Sequence, residues 1–387
     1  MENDTILKKA ISLLASFRLS CVLFFLLFIL TVLGTLDQAN IGLYETQKKY
    51  FESIYLIYHA GPIPILLPGV YLVLIVLFVN TIVGTYQRIK FKPSKYGIYI
   101  IHFSMVLLFA GSFVTFKFSD DGQMTLQEGQ SSSKFVSYHE WEMAIVDINN
   151  PNTDKEYIYD FDFTHPIKGS IFTHDELPFT LEILDFARNA KVLPKGPMFN
   201  TTATIINGYF IMPLDLETEN ERNMPAILLK VENKKSSELV SKSFIVSGST
   251  STQNSLQFKV ENKIYVATLR KKTWVVPFSI TLDRVERDLY PGTMQAQAYR
   301  SFIRKTENGV EEKKEIYMNH PYRYMSYIFF QSGYMEDPNT NLKYSTFAVV
   351  RNPTDHVPLV SCILISLGMI VHFLTILFKF LKKEAGK

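Results

Sequence analysis

The hydrophobic pattern divides the chain into four nearly uncharged stretches and the polar segments between them. The apolar stretches are residues 19–36, 63–86, 97–116 and 357–378. An uncharged run of about eighteen or more apolar residues is typical of a membrane-spanning helix, because roughly 20 residues at about 1.5 Å each cross the hydrocarbon core. The pattern therefore predicts an α-helical membrane protein with four transmembrane helices, three early in the chain and one late.

A cleaved signal peptide is the alternative interpretation of the first stretch. Lys8, Lys9 and Arg18 precede it, as basic residues precede a signal core. However, the apolar run is longer than a usual signal core, and no Ala-x-Ala-like cleavage site follows it. We therefore expect this stretch to be a retained transmembrane helix.

Lysine and arginine are concentrated in three of the connecting segments. They lie in residues 1–18, 87–96 and 379–387, which all fall on one side of the membrane if the chain crosses it four times. Because basic residues favour the cytoplasmic side, we expect both termini in the cytoplasm. The loop 37–62 and the block 117–356 are then extracytoplasmic.

The block 117–356 has the pattern of a β-rich domain. Short alternating or apolar runs are separated by clusters of Asn, Pro, Gly and Ser, as in strands joined by turns. The predicted strands are residues 142–148, 179–185, 226–232, 256–260, 263–269, 278–285 and 326–331, and the turn clusters include residues 149–152, 195–197, 247–251 and 336–341. This spacing favours a sandwich-like or open-barrel-like domain.

Overall composition resembles that of a soluble protein only because it averages two unlike parts. Of the 387 residues, 47% are hydrophobic and 20% charged, and the net charge is only +3. A nucleic-acid-binding protein would need a clustered basic surface, and this balance gives no support for one.

The cysteines and the absent motifs give little support for several kinds of redox and metal chemistry. Cys21 and Cys362 are the only two, so the block 117–356 is expected to fold without disulfides. The two cysteines are expected at different membrane depths, too far apart for a bridge, and are interpreted as small packing residues. The sequence has no CxxC, CxxCH or HExxH motif, which removes the main support for a redox protein, a covalent haem acceptor or a zinc protease.

Three polar side chains stand at similar depth in three different spans. His102 is the only ionisable residue of the third stretch, His372 is the only one of the fourth, and Asn80 lies in the second. At about 1.5 Å per residue, both histidines are roughly 8–10 Å inside the bilayer. Such residues are functional candidates, and imidazole is a common axial ligand of haem iron. The alternatives are interhelical hydrogen bonds that only hold the bundle together, and a proton relay, although no span contains Asp or Glu.

Around these residues the sequence resembles the ResB/CcsB family of cytochrome c biogenesis proteins. The similar segments are LLASFRLSCVLFFLLFILTVLGTL, VNTIVGTYQRIK, YGIYIIHFSMVLLFAGSFVT with His102, DDGQMTLQEGQ, FSITLDRVERDLYPGT, YMNHPYRYMSYIFFQSGY and FAVVRNP. Together they extend over nearly the whole chain in the family's order. The three-plus-one arrangement of spans agrees with the family as well.

The resemblance implies a role in system II cytochrome c maturation at the bacterial cytoplasmic (inner) membrane, with the large domain periplasmic. With a CcsA/ResC-type multispan partner, the family moves haem b across the membrane and presents it for attachment to apocytochrome c with a CxxCH motif. A thioredoxin-like thiol reductant is a further expected partner. His102 would be an axial haem ligand, with the second ligand coming from the partner. We add His372 as an alternative second ligand and Asn80 as a polar group near the site.

One departure from the family limits what this chain is expected to do alone. The partner carries a tryptophan-rich haem-holding segment, whereas this chain has only Trp141 and Trp274, far apart. We therefore expect at most part of a haem lyase (synthetase) complex, with no activity of the chain by itself. The exported domain would hold the apocytochrome or brace the partner, with Tyr322, Arg323 and Gln331 as candidate contacts, although core packing of an amphipathic strand is the favoured explanation of the aromatic residues.

Two other functions compete with this interpretation. A membrane-anchored receptor or scaffold would use the β-rich domain without haem, and its intramembrane histidines would serve only in packing. A permease subunit is the second alternative. Such a subunit usually places its exported domain after the first span, whereas here the domain follows the third.

Overall fold

The computed structural model describes residues 2–88, 92, 95–149, 155–161, 167–196, 202–234, 242–249 and 255–386. The chain forms two compact units. The helical unit comprises Met1–Ser119 and Arg351–Lys387, and the β unit comprises Asp120–Val350. Parts of the predicted basic segment 87–96, including Lys90, and of the predicted turns at 149–152, 195–197 and 247–251 lie outside the described residues.

The helical unit contains the four long helices that the hydrophobic pattern predicts. Its elements are α1 (Glu2–Leu14), α2 (Phe17–Ile41), α3 (Leu43–Thr46) followed by a π-helical turn (Gln47–Phe51), β1 (Tyr55–Ala60), β2 (Ile63–Pro68), α4 (Val70–Arg88), α5 (Tyr96–Phe118) and α6 (Val357–Ala385). Of these, α2, α4, α5 and α6 are long and apolar enough to cross a membrane.

The second long helix begins later than the sequence indicates. The predicted span was 63–86, but α4 starts at Val70, and Ile63–Pro68 is a strand paired antiparallel with Tyr55–Ala60. Pro64 and Pro68 explain the difference, because proline in a helix interior removes a backbone hydrogen bond and clashes with the preceding turn. The strand is as apolar as a membrane helix, so hydrophobicity alone does not separate the two.

Two helix contacts organise the unit. Between α2 and α4, a buried cluster includes Leu23, Leu30, Val73 and Leu77 together with Tyr50 of the π-helical turn. Between α5 and α6, backbones approach so closely that a Cβ added to Gly97 would lie 2.5 Å from the backbone nitrogen of His372. Small residues permit such close packing of membrane helices.

The β unit contains the remaining strands in several sheets. They are β3 (Asp120–Gln127), β4 (Ser131–Asp147), β5 (Glu156–Phe161), β6 (Ile171–Thr173), β7 (Phe179–Ala187), β8 (Ala190–Pro194), β9 (Tyr209–Pro213), β10 (Ala226–Asn233), β11 (Lys242–Ser247), β12 (Ser255–Val260), β13 (Lys263–Leu289), β14 (Ala296–Glu307), β15 (Val310–Tyr317), β16 (Tyr322–Tyr324), β17 (Tyr327–Glu336) and β18 (Lys343–Arg351). Within the described residues no sheet closes into a barrel, and the predicted β-rich fold class is confirmed.

One ten-stranded sheet and one four-stranded sheet form most of the β unit. The main path of the large sheet runs β15-β14-β13-β4-β3-β18-β17-β16, with β12 paired to β13 and β5 paired to β4. The smaller sheet runs β11-β10-β7-β6, and β8 pairs with β9. The long strands β4 and β13 contribute to two apolar cores, one around Phe179 and Tyr265 and the other around Phe278 and Phe329.

Candidate functional site

A cleft in the helical unit joins two of the three polar residues singled out by the sequence. It has a volume of about 360 Å³, which falls within the usual range of small-molecule sites. The lining comes from α2, α4, α5 and the link before α2, and consists of Ala15, Phe17, Ser20, Phe24, Leu77, Asn80, Thr81, Gly84, Thr85, His102 and Met105. Phe17 and Phe24 are exposed, so the cleft has an apolar rim.

A hydrogen bond across two helices orients His102. Its Nδ1 lies 3.1 Å from the hydroxyl oxygen of Thr85 in α4. That hydroxyl already donates its hydrogen to the carbonyl of Thr81, one turn earlier. The Thr85 oxygen therefore accepts a hydrogen bond from Nδ1–H, which places the imidazole proton on Nδ1 and leaves the Nε2 lone pair free.

Asn80 lies in the same cleft, but its side chain bonds to the α1–α2 link and to Ser20. It is buried, and its amide nitrogen donates to the carbonyls of Leu14 and Ser16, the latter at 3.2 Å. Its amide oxygen accepts a hydrogen bond from the Ser20 hydroxyl at 2.7 Å. Both amide hydrogens are thus used to hold the link between α1 and α2, and Thr85 is the polar partner of His102.

His372 is not among the residues that line this cleft. It lies on α6 at the tight crossing with α5, beside Gly97. The residue on α5 that faces this crossing is Ile101, whose side chain packs against Gly368. His102 follows Ile101 and is turned by about 100° around the helix, toward α4.

Neither cysteine of the helical unit forms a disulfide. Cys21 and Cys362 are both free and exposed. The described residues contain no group of three His, Cys, Asp or Glu side chains that could hold a metal ion.

In the β unit, the predicted contact residues differ in their surroundings. Tyr322 is buried in the core with Tyr327 and Phe329. Gln331 donates to the Ser345 hydroxyl and the Gly333 carbonyl, and accepts from the buried Ser301 hydroxyl at 2.6 Å. Arg323 is exposed. Core packing therefore explains Tyr322, and an internal hydrogen-bond network explains Gln331.

Sequence reasoning missed Thr85 as a functional residue. The only local signal is a threonine four residues after Thr81 and five after Asn80, in the predicted helix that precedes the one carrying His102. Thr85 becomes a partner only through the alignment of α4 with α5.

Comparison with known proteins identifies one family. The model of the ResB-like family matches residues 234–344, which lie in the β unit. No curated protein matches the chain significantly. The family match confirms the resemblance of this chain to the ResB/CcsB family.

Proposed function

We propose that this chain handles haem b in the membrane as a component of system II cytochrome c maturation. In this function His102 supplies an axial ligand to the iron through Nε2. The chain acts with a CcsA/ResC-type multispan partner that delivers haem to apocytochrome c. Haem is the cargo of this complex, and ligase activity belongs to the complex.

The hydrogen bond between His102 and Thr85 is the observation that carries the proposal. Metal-bound histidines commonly donate their second ring N–H to an oxygen acceptor, which fixes the tautomer and makes the ligating nitrogen a better donor. Thr85 gives His102 this arrangement inside an apolar cleft. Haem iron brings its own equatorial nitrogens, so a single side chain on this chain suffices for axial ligation.

The location of the cleft supports haem uptake from the cytoplasm. The cleft lies at the end of the bundle where α1 and α2 meet, and Lys8, Lys9 and Arg18 stand near the same junction of these helices. Because basic residues favour the cytoplasmic side, this end of the bundle is the proposed entrance. The large β unit is then periplasmic, where the apocytochrome and its thioredoxin-like reductant would meet it.

The test is the visible spectrum of the full chain purified with its co-expressed multispan partner. We expect a Soret band that falls to a small fraction in His102→Ala, because the iron loses an axial ligand. Added imidazole should restore the band by occupying the vacated position. An undiminished Soret band in His102→Ala would contradict the proposal.

The receptor or scaffold alternative predicts a different result. In that case the wild-type complex is colourless, and His102→Ala changes only its stability.

A further inference from the structure

The junction of α1 and α2 forms a second groove, separate from the cleft that His102, Thr85 and Asn80 line, which we call the haem cleft. The second groove has a volume of about 740 Å³. Basic, hydroxylated and apolar side chains line it, and they are Lys8, Lys9, Ser12, Leu13, Ser16, Arg18, Leu19 and Val22. We call it the elbow groove. None of these lining residues is acidic.

The elbow groove and the haem cleft lie on different faces of α2. Phe17 and Phe24 line the cleft, whereas Leu19 and Val22 line the groove. At about 100° per residue, these two pairs point in roughly opposite directions around the helix. A ligand of the groove is therefore distinct from haem in the cleft, and the inference does not depend on haem binding.

Asn80 makes the elbow a fixed structure. Its amide group donates to the carbonyls of Leu14 and Ser16, which are the residues on either side of the bend, and accepts from Ser20. The Ser16 hydroxyl accepts a hydrogen bond from the Arg18 backbone and so caps the start of α2. The angle between α1 and α2, and with it the groove, is thus held by a buried side chain of α4.

We propose that the elbow groove binds the phosphate headgroup of an anionic phospholipid. Lys8, Lys9 and Arg18 all line the groove and provide the positive charge that a phosphate requires. The Ser12 and Ser16 hydroxyls add hydrogen-bonding groups at the same place. Leu19 and Val22 continue the groove along a membrane-spanning helix, where an acyl chain belongs.

Lipid binding by the full chain in detergent, followed by native mass spectrometry, tests this assignment. Phosphatidylglycerol is titrated against phosphatidylcholine, which has the same phosphate but no net charge. The test variant is Lys8→Gln/Lys9→Gln/Arg18→Gln. The matched control is Lys379→Gln/Lys382→Gln/Lys383→Gln, which removes the same charge from the end of α6.

We expect the wild type to retain phosphatidylglycerol in preference to phosphatidylcholine. The elbow variant should bind it roughly a hundredfold more weakly, since each of the three basic residues near a membrane surface contributes about 1 kcal/mol. The α6 control should remain within about twofold of the wild type. Equal losses in the two variants would show that only total charge matters and would overturn the assignment.

Two further experiments distinguish a preformed lipid groove from a merely charged surface and from a site for free phosphate. Asn80→Leu keeps all three cations but removes the hydrogen bonds that fix the angle between α1 and α2. It should weaken lipid binding, and binding at the wild-type level would contradict a fixed groove. If Asn80→Leu does not fold, the comparison of the two charge variants decides. Inorganic phosphate added in excess should leave the lipid bound, and displacement of the lipid by it would identify free phosphate as the ligand instead.

Discussion

At the scale of single residues, Thr85 decides which nitrogen of His102 carries the proton. A threonine hydroxyl has only one hydrogen, and Thr85 gives it to the Thr81 carbonyl. Toward His102 the same oxygen is an acceptor. The imidazole is therefore set to coordinate through Nε2 before any ligand arrives.

We predict that Thr85→Val lowers the haem affinity of the purified complex about 10- to 100-fold, the usual effect of removing the hydrogen-bond partner of a metal-bound histidine. Haem titration followed at the Soret band measures it. Thr81→Val is the matched control, because Thr81 also lines the cleft and bonds to the carbonyl one turn earlier, but not to His102.

Thr85→Ser should restore most of this affinity, because serine keeps the hydroxyl. Equal losses of affinity in Thr85→Val and Thr81→Val would show that the cleft needs threonine for its shape and not for the hydrogen bond to His102.

The same pair shows how far sequence reasoning reaches at this scale. His102 is conspicuous because it is the only ionisable residue in its apolar stretch. Thr85 is not conspicuous, because threonines that bond to the carbonyl one turn earlier are ordinary in helices. Asn80 was assigned to the ligand site for its depth, whereas its three hydrogen bonds go to the α1–α2 link and Ser20. Depth follows from the sequence, but side-chain partners depend on the rotation of each helix.

Lys271 in the β unit is a half-buried cation beside an aromatic ring. Its Nζ donates to the Tyr138 carbonyl at 2.7 Å and lies 4.4 Å from the centre of the Trp141 ring. Burial lowers the pKa of Lys271 to about 8, from an ordinary value of 10.5. Between these two pH values the folded protein has released a proton that the unfolded chain still holds, so this residue's contribution to the free energy of unfolding rises with pH.

We predict that Trp141 fluorescence reports this titration. In a Trp274→Phe background, emission should change with a midpoint near pH 8, because the ammonium over the ring loses its charge. Lys271→Met should abolish the step. Lys272→Met should keep it: burial opposes the charge of Lys272, but the Glu140 and Asp160 carboxylates hold its pKa above the ordinary value. A step that survives in Lys271→Met would contradict the assignment.

At the scale of elements, the α5–α6 pair is held by close backbone contact. Gly97 faces the backbone of Gly368 and His372, and a Cβ there would lie 2.6 Å from the Gly368 carbonyl oxygen. At the other end of the pair, Gly111 faces the side chain of Val357. Any side chain at Gly97 must push the two helices apart.

We predict that Gly97→Ala destabilises the protein by about 1–3 kcal/mol, the usual cost of overpacking. Thermal unfolding in detergent, followed by circular dichroism, measures the effect. Gly84→Ala is the control on α4, where the nearest atom to an added Cβ is the Ala15 carbonyl oxygen at 3.7 Å, an ordinary contact. If both substitutions lower the unfolding temperature equally, the close crossing is not what stabilises this helix pair.

Helices and strands were predicted correctly where one spacing of hydrophobic residues dominates. The prediction failed where a helix and a strand share the same hydrophobic pattern. The seven predicted strands lie within observed strands to within one residue, with residues 263–269 and 278–285 both in β13, since they combine β-branched and aromatic residues with flanking turns. The residues of β15, VEEKKEIY, are nearly all charged or polar and gave no signal, because this edge strand buries little besides Ile316. The strand β13 continues through Pro277, where its pairing with β4 is interrupted between Val275 and Ile280, a position that tolerates proline.

At the scale of the whole molecule, the family match and the candidate site come from different units. The ResB-like match covers residues 234–344 in the β unit, whereas His102, Thr85 and Asn80 belong to the helical unit. The family match and the geometry of the cleft are therefore independent observations, and the haem-handling function proposed above draws on both.

The proportion of haem to protein in the purified complex is the most direct test of the central claim, that His102 and not His372 holds haem on this chain. Wild type, His102→Ala and His372→Ala are purified with the co-expressed partner and assayed for haem per chain. We expect His102→Ala to lose most of its haem and His372→Ala to keep a wild-type amount, because only His102 lines the cleft. Full haem content in His102→Ala, or its loss only in His372→Ala, would contradict this account.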